Sequence, residues 1–569
     1  MSSFYDLASL VMIPSGKKAG KVYSQKPLST DGQLDFTRAS TATRIGSDGL
    51  IEKTRTNLIP YSQSNFASQW VTNDSSIVRV DNTTETTSPI GDNTASKIVF
   101  SSANSYLGVT GLGLSGLYSG YIYVKGTAGE TIRYNIAGAE SNYTLTGGWD
   151  KLEKNHIIAS ATFATNINTF AGVTARTLYV WGSQIEQSVI GTDYISTNGS
   201  AVSVGSVDNM PRLNYTPGSA TSCPSLLLEP QRTNIITQSE YFSGSDWFDN
   251  DVTRSQNTNE TLTPAGDYSG LKITETATTA RHRIASNTLT IPSDGVYTWS
   301  VFMKKGTSRH GFLSNGDSTI VVDLENGIIT DTEIRSGTSD STIENYRNGW
   351  YRLTLNYNKT VVTTNYLIQF GTANSGTPTY NNYIPEHAGN TNNYLYTYGA
   401  QIELGSYATS YIPTFGATVT RVADTNCNLT NFLSKGIIST ALSWTVFFDL
   451  EGLSTNNNIL NTQFIAGNGT LDVYVRPENE NSLFARFYWR KDSKYIGSSF
   501  GKKIVARLNS GTGTTFADGV LNGSSSISGD YSVLGILRNT SSAGKINKIL
   551  VFPTALTDAQ CIELTTIES

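Results

Sequence analysis

Leu178–Gln187, LYVWGSQIEQ, and Leu395–Leu404, LYTYGAQIEL, are one stretch written twice. Trp181-Gly182-Ser183-Gln184-Ile185-Glu186 matches Tyr398-Gly399-Ala400-Gln401-Ile402-Glu403, and Tyr194-Ile195 matches Tyr411-Ile412, all at an offset of 217 residues. A second signature precedes each copy. Arg55-Thr56-Asn57-Leu58 with Ser62 and Trp70 recurs as Arg232-Thr233-Asn234-Ile235 with Ser239 and Trp247, at an offset of 177. Between these bookends Val124-Lys125-Gly126-Thr127 answers Lys304-Lys305-Gly306-Thr307, and Gly148-Trp149-Asp150-Lys151-Leu152 answers Gly349-Trp350-Tyr351-Arg352-Leu353. The order is the same in both copies, which is the signature of an internal duplication, the second copy being longer by 40 residues. The duplication divides the chain into an N-terminal arm with a β-hairpin (1–57), a first module (58–205), a linker (206–232), a second module (233–428) and a C-terminal module (433–569). Pro211, Pro217, Pro224 and Pro230 make the linker extended and stiff, while Ser225-Leu226-Leu227-Leu228 within it is too apolar for a free linker and is expected to pack against a domain or a neighbouring subunit.

Composition and periodicity give the fold class. Charged residues are 15% of the chain, against roughly 25% in an average soluble protein. Ser, Thr, Asn and 51 Gly take their place, as suits strands with a polar outer face and many turns. SGYIYVKG (119–126), GVYTWSVFMKKG (295–306) and NGWYRLTLNYN (348–358) read as strands, and IVVDLENGIIT (320–330) as a hairpin with Asn326-Gly327 in a type I′ turn. The expectation is an all-β chain of tandem antiparallel β-sandwiches. A net charge of −5 without a basic run argues against a nucleic-acid partner. Three widely spaced cysteines argue against a disulfide framework and for assembly in a reducing cytoplasm. No apolar run of 18 residues and no secretory leader can be read, so no membrane insertion is expected.

Several segments resemble known families. MIPSGKKAGKVYS (12–24), FTRASTATRIGSDGLIE (36–52) and PSLLLEPQRTNII (224–236) resemble recurring segments of bacteriophage virion proteins, especially those of crAss-like and related phages of Bacteroidetes-type hosts. NGWYRLTLNYN resembles a central strand of family 4/9 carbohydrate-binding-like modules, in which the Trp after Gly is core; Trp149 and Trp350 are read accordingly. GKINKILVFPTALTDAQCIELTT (544–566) resembles the last strand and closing helical turn of concanavalin A-like (laminin-G-like) jelly rolls, with Thr557 as helix N-cap and Asp518-Gly519 in a tight hairpin. These resemblances imply two duplicated jelly rolls of the carbohydrate-binding type, a C-terminal concanavalin A-like jelly roll and an N-terminal extended arm. They imply a non-enzymatic structural protein on a virion surface, a head (capsid) fibre or decoration protein, assembled in the host cytoplasm. Its partners would be other virion proteins, its own copies in a homotrimer, and cell-surface glycans. A tail fibre or receptor-binding protein is the alternative, ahead of a secreted glycan-binding protein or a polysaccharide depolymerase.

Motifs for chemistry are few. Gly111-Leu112-Gly113-Leu114-Ser115-Gly116 fits the dinucleotide pattern, but strand-like sequence follows where a helix is needed. Gly497-Ser498-Ser499-Phe500-Gly501 fits a nucleophile elbow, but His156, His282, His310 and His387 all precede it. The four histidines lack metal-binding spacing, so neither metal nor cofactor is expected. Structural calcium is common in both resembling sandwich families, although no DxDxDG loop occurs here. Tyr394, Tyr396 and Tyr398, with Tyr179 and Trp181 in the first copy, alternate along a strand; they are either core or a stacking platform for sugar. Phe4, Leu7, Val11, Met12 and Ile13 make the start of the arm apolar, either as a strand or helical turn that covers the first module or as a segment that docks on a partner or sister subunit.

Overall fold

The computed structural model describes the chain apart from residues 1–3, 64–65, 67–69, 171–174, 220, 288, 336–339, 360–362, 430, 452–460, 467–468, 475–484, 490–493, 500–502, 527–543 and 567–569. It is all-β, built of antiparallel sheets. The copies share one topology. In the first, Val78–Val80, Ser96–Phe100, Arg176–Glu186, Tyr106–Lys125 and Asp150–Asn168 are neighbours in that order; in the second, Val252–Gln256, Leu271–Glu275, Tyr394–Leu404, Gly295–Lys305 and Trp350–Lys359 repeat it. The opposite layer of copy two is a separate sheet containing Trp247–Asn250, Arg283–Ser286, Gln369–Ala373, His310–Ser314 and Ser318–Asp323. In copy one the two long strands bend through into that layer, so one eight-stranded sheet does the work of two six-stranded ones. The bend falls at register shifts around Thr110, Leu114 and Gly116. The extra length of copy two includes the added strands Ile328–Ile334 and Ser341–Asn345.

The glycine-rich pattern 111–116 therefore lies inside a strand. Gly111, Gly113 and Gly116 all have positive φ, which glycine alone adopts without a steric penalty. A Cβ on Gly116 would come within 2.3 Å of the Phe415 carbonyl oxygen, so this bend is also where copy one meets copy two.

The duplicated signatures are the fastening of each sandwich. Asn57 donates through Nδ2 to Ser183 O and Ile195 O at 3.0 and 2.8 Å; Asn234 does the same to Ala400 O and Ile412 O at 3.1 and 2.9 Å. Ser62 Oγ meets Tyr194 OH at 2.5 Å, as Ser239 Oγ meets Tyr411 OH at 2.7 Å. Gln184 bonds Glu186, and Gln401 bonds Glu403, both fully inside. Interior polar groups demand partners, so each member of the signature constrains the others.

Four expectations are corrected. The arm is not free: Leu10–Met12 pairs with Val551–Ile549, with Leu10 and Met12 in one apolar cluster and Val11 in another. Phe4 and Ile13 pack against the second cluster, while Leu7 is 40% exposed. The stretch 206–232 is no simple spacer, because Arg212–Asn214 and Ser225–Leu228 are strands of the C-terminal sheet. That sheet runs through Gly544–Phe552, Ser443–Glu451, Lys503–Asn509, Thr512–Ala517 and Val520–Ser526. The turn after Asp323 is a longer loop in which Gly327 alone of the Asn326-Gly327 pair has positive φ. Asp323 Oδ1 accepts from the amides of Glu325 and Asn326, and this local bonding outcompetes the two-residue turn. Finally, Trp350 is fully buried but Trp149 is half-exposed. Both indoles donate to equivalent loop carbonyls, Leu262 O at 2.7 Å and Thr87 O at 3.0 Å; copy one simply packs less over its ring.

The C-terminal expectations are met at two points. Asp518 and Gly519 take positive φ in the hairpin, and Thr557 caps the helix Asp558–Thr565 in a capping box with Gln560. Phe500 and Gly501 of the GxSxG match lie outside the described residues.

Candidate functional site

The aromatic row on Tyr394–Leu404 lies under a loop. Tyr398 is fully buried and donates to Glu240 Oε1 at 2.9 Å; Tyr396 is 7% exposed and donates to Glu260 Oε2 at 2.6 Å. Tyr394 is half-buried with Lys272 Nζ 4.0 Å from its ring centroid. In copy one Trp181 is buried and donates to Thr94 Oγ1 at 2.8 Å, and Tyr179 donates to Glu85 Oε2 at 2.8 Å. Alternation put these side chains on one face correctly, but loops near 81–95 and 256–270 cover it. A buried ring has no open side for a sugar, so Trp181, Tyr396 and Tyr398 are corrected to packing residues.

Accessible aromatics gather elsewhere. A cleft of about 590 Å³ opens where the N-terminal hairpin lies between the copies. Tyr123 and Tyr194 of copy one and Tyr268 of copy two line it, with Arg55, Lys151 and Asp193. Tyr268 is 39% exposed. At its inner end Lys53 reaches Glu240 at 3.0 Å and Asp267 at 3.3 Å. Burial pushes the Lys53 ammonium down, but the Asp267 and Glu240 carboxylates outweigh it and hold it charged. Burial raises Asp267 too, yet Lys53 and the Ser269 and Thr263 hydroxyls bring it below the usual range. Burial dominates at Glu240, which stays raised. One ammonium thus serves two carboxylates and fixes the hairpin to copy two. Tyrosine faces beside alternating charges on a concave wall suit a polyhydroxylated ligand.

A buried ionic hub joins the arm, the linker stretch and copy two. Asp424 receives Arg38 Nη1 at 3.1 Å and also pairs with Arg212 Nη2; Arg212 and Arg421 meet Glu229 at 2.5 and 3.0 Å. Burial pushes the Glu229 carboxyl up, but Arg421, Arg212 and Ser410 hold it well below the usual carboxylate range. Arg38 also donates to Ser206 O, Val207 O and Met210 O, closing the stretch after copy one over the arm.

The histidines are not all isolated. His282 and His387, 105 residues apart, lie with ring centroids 4.7 Å apart and ring planes tilted by 55° beside Glu275, all three buried. Burial raises the Glu275 carboxyl, but His387 and the Asn390 amide bring it down to about 2. Sequence spacing carried no trace of this cluster because its members come from three separate segments.

No family model matches the chain, and no curated protein does. Solved structures do. The tandem CBM22-1–CBM22-2 domains of Paenibacillus barcinonensis Xyn10C are 10% identical, over 61% of this chain and 98% of that one, with a TM-score of 0.20. An anti-sigma factor domain-containing protein is 9% identical over 61% and 99%, at 0.13. Vicilin from hazelnut, Corylus avellana, is 8% identical over 62% and 88%, at 0.12. None of these likenesses bears on function, and the fold class rests on the sheets themselves. Among the described residues no helix is long and apolar enough to cross a membrane.

Proposed function

We propose that the chain is a structural surface protein of a bacteriophage particle, a head fibre or decoration protein that presents a glycan-binding cleft and has no catalytic role. The observation that supports this is where the virion-like segments lie. The first supplies Met12 to the C-terminal core and Lys17, whose Nζ donates to Pro211 O at 2.9 Å. The second supplies Arg38 of the hub and Lys53's neighbouring hairpin strands Arg44–Ile45 and Ile51–Glu52. The third supplies strand Ser225–Leu228, Glu229 and Asn234. All three are joint, and the sandwiches are what the joint holds. A protein built this way keeps several modules in fixed relation, as a displayed appendage requires. Immunogold labelling of purified virions is expected to mark capsids in many copies. Label on tails would favour the tail-fibre reading, and label absent from particles would overturn the virion role. Light scattering of the purified chain is expected to give a homotrimer.

The cleft is the proposed glycan seat. Tyr268→Ala and Tyr123→Ala are each expected to weaken binding of a host-surface polysaccharide about fivefold, roughly 1 kcal/mol, by removing a stacking face. Binding per cleft would be weak, with many copies on one particle giving avidity. Full-strength binding by both variants on a glycan array would remove the cleft from the proposal.

A further inference from the structure

We infer that Glu275, His282 and His387 form a structural zinc site inside the second sandwich. One ligand atom from each residue lies within 4.8 Å of the others, so modest side-chain adjustment brings them round a single ion. Glu275 and His282 are oriented from behind, as metal ligands are. His282 Nδ1 lies 2.7 Å from Asp251 O, to which it donates, and this leaves the Nε2 lone pair facing inward. Glu275 Oε2 accepts from the Asn390 amide at 2.9 Å and from Asn393 Nδ2 at 3.2 Å, which turns Oε1 toward His387 Nε2 at 3.1 Å.

Two features are hard to explain without a cation. With Nδ1 donating to Asp251 O, Nε2 of a neutral His282 ring would set its lone pair against another acceptor, the His387 carbonyl oxygen at 3.2 Å, a clash that a cation at Nε2, proton or metal ion, relieves. His387 Nδ1 is buried and finds no hydrogen-bond partner among the described residues. Polar groups left this way inside a protein are costly.

The duplication supplies an internal control. Strand pairing aligns Ser96–Phe100 with Leu271–Glu275, so Phe100, fully buried, stands in copy one where Glu275 stands in copy two. The loop bonds align Ser105 with His282, since Thr169 N donates to Ser105 O as Thr372 N donates to His282 O. The fold is therefore satisfied by an apolar ring at this place, and copy two has put a carboxylate and an imidazole there instead. Burying those groups is unfavourable unless something pairs with them. Gly389 closes the site: a Cβ there would come within 2.4 Å of the His282 ring. Nitrogen and carboxylate ligands in a closed interior suit zinc better than calcium or magnesium, which take oxygen ligands.

The full-length chain, stripped with chelator, is expected to take up one equivalent of zinc by calorimetry and to gain several degrees in melting temperature, with no such gain from calcium or magnesium. Cobalt(II) is expected to give the visible bands of a low-coordinate nitrogen–oxygen site without a thiolate charge-transfer band, which separates it from binding at exposed Cys223. Glu275→Phe, which restores the residue of copy one, is expected to stay folded and lose at least 100-fold in zinc affinity; Glu275→Gln, nearly isosteric, is expected to lose at least tenfold. Absence of zinc uptake by the folded wild-type chain, or equal uptake by folded Glu275→Phe, would overturn the site and leave a histidine–carboxylate ion pair.

Discussion

Asp424→Asn is expected to destabilise the protein by about 3–5 kcal/mol, the usual result of breaking a buried ion pair from one side. Asp424 is fully buried and answers both Arg38 and Arg212, and its Oδ2 also accepts from the Glu229 amide at 2.8 Å. The amide keeps the shape but lacks the charge, so three guanidiniums, Arg38, Arg212 and Arg421, would face Glu229 alone within the hub. Arg38 is already disfavoured as a cation, its pKa brought down to about 10 by burial and by repulsion from Arg212. Urea titration followed by tryptophan fluorescence reads the loss as a lower midpoint. A change below about 1 kcal/mol would mean that solvent reaches the hub. The hub also sets an acid limit. Glu229 is depressed in the folded chain, so its contribution is complete above the ordinary glutamate value of about 4.3 and is lost as the pH falls toward the folded value. Acid unfolding is therefore expected to begin below about pH 4, and to begin earlier in Asp424→Asn.

Deleting residues 1–13 is expected to cost at least as much and to make the protein aggregate. Leu10, Val11 and Met12 are each buried, and full burial of one such side chain is worth about 1.5–3 kcal/mol. The strand Gly544–Phe552 has Ser443–Glu451 on one side; its other side is completed by Leu10–Met12 at 549–551 and by Ser225–Leu228 at 544–546. Removing the first of these bares half an edge with unpaired amides and carbonyls, a template for pairing with another chain. Size-exclusion chromatography with thermal melting would show aggregates and an early transition. An unchanged melt and elution would mean that residues 1–13 are a detachable arm after all.

The sequence displayed what is local and hid what is assembled. The fastening of each sandwich was legible because Asn57, Ser62, Gln184 and Tyr194 recur at fixed offsets, and a duplicated polar residue that must find a partner is a strong constraint. Alternation placed Tyr394, Tyr396 and Tyr398 on one face, but periodicity is silent on whether a loop carrying Glu260 lies over that face. Leu226-Leu227-Leu228 looked too apolar for a linker, and the partner that explains it, Gly544–Ile546, is more than 300 residues away. The same distance problem concealed Glu275, His282 and His387, and it left open whether the segment at 10–12 covers the first module or docks on a neighbour, when its partner is the strand Gly544–Phe552 of the same chain.

That last pairing imposes an order on synthesis. Ser9 Oγ donates to Val551 O at 3.0 Å across 542 positions of sequence. At roughly 5–20 residues per second, a ribosome takes roughly half a minute to two minutes to make the partner after making the donor. Until then Leu10–Met12 has no strand to join, while both modules in between can close on their own signatures. A chain interrupted anywhere before about residue 550 keeps the apolar strand Leu10–Met12 unpaired. Synthesis of the partner strand Gly544–Phe552 is what turns that liability into a closed sheet, so a product that stops short of it leaves the apolar face of Leu10–Met12 bare.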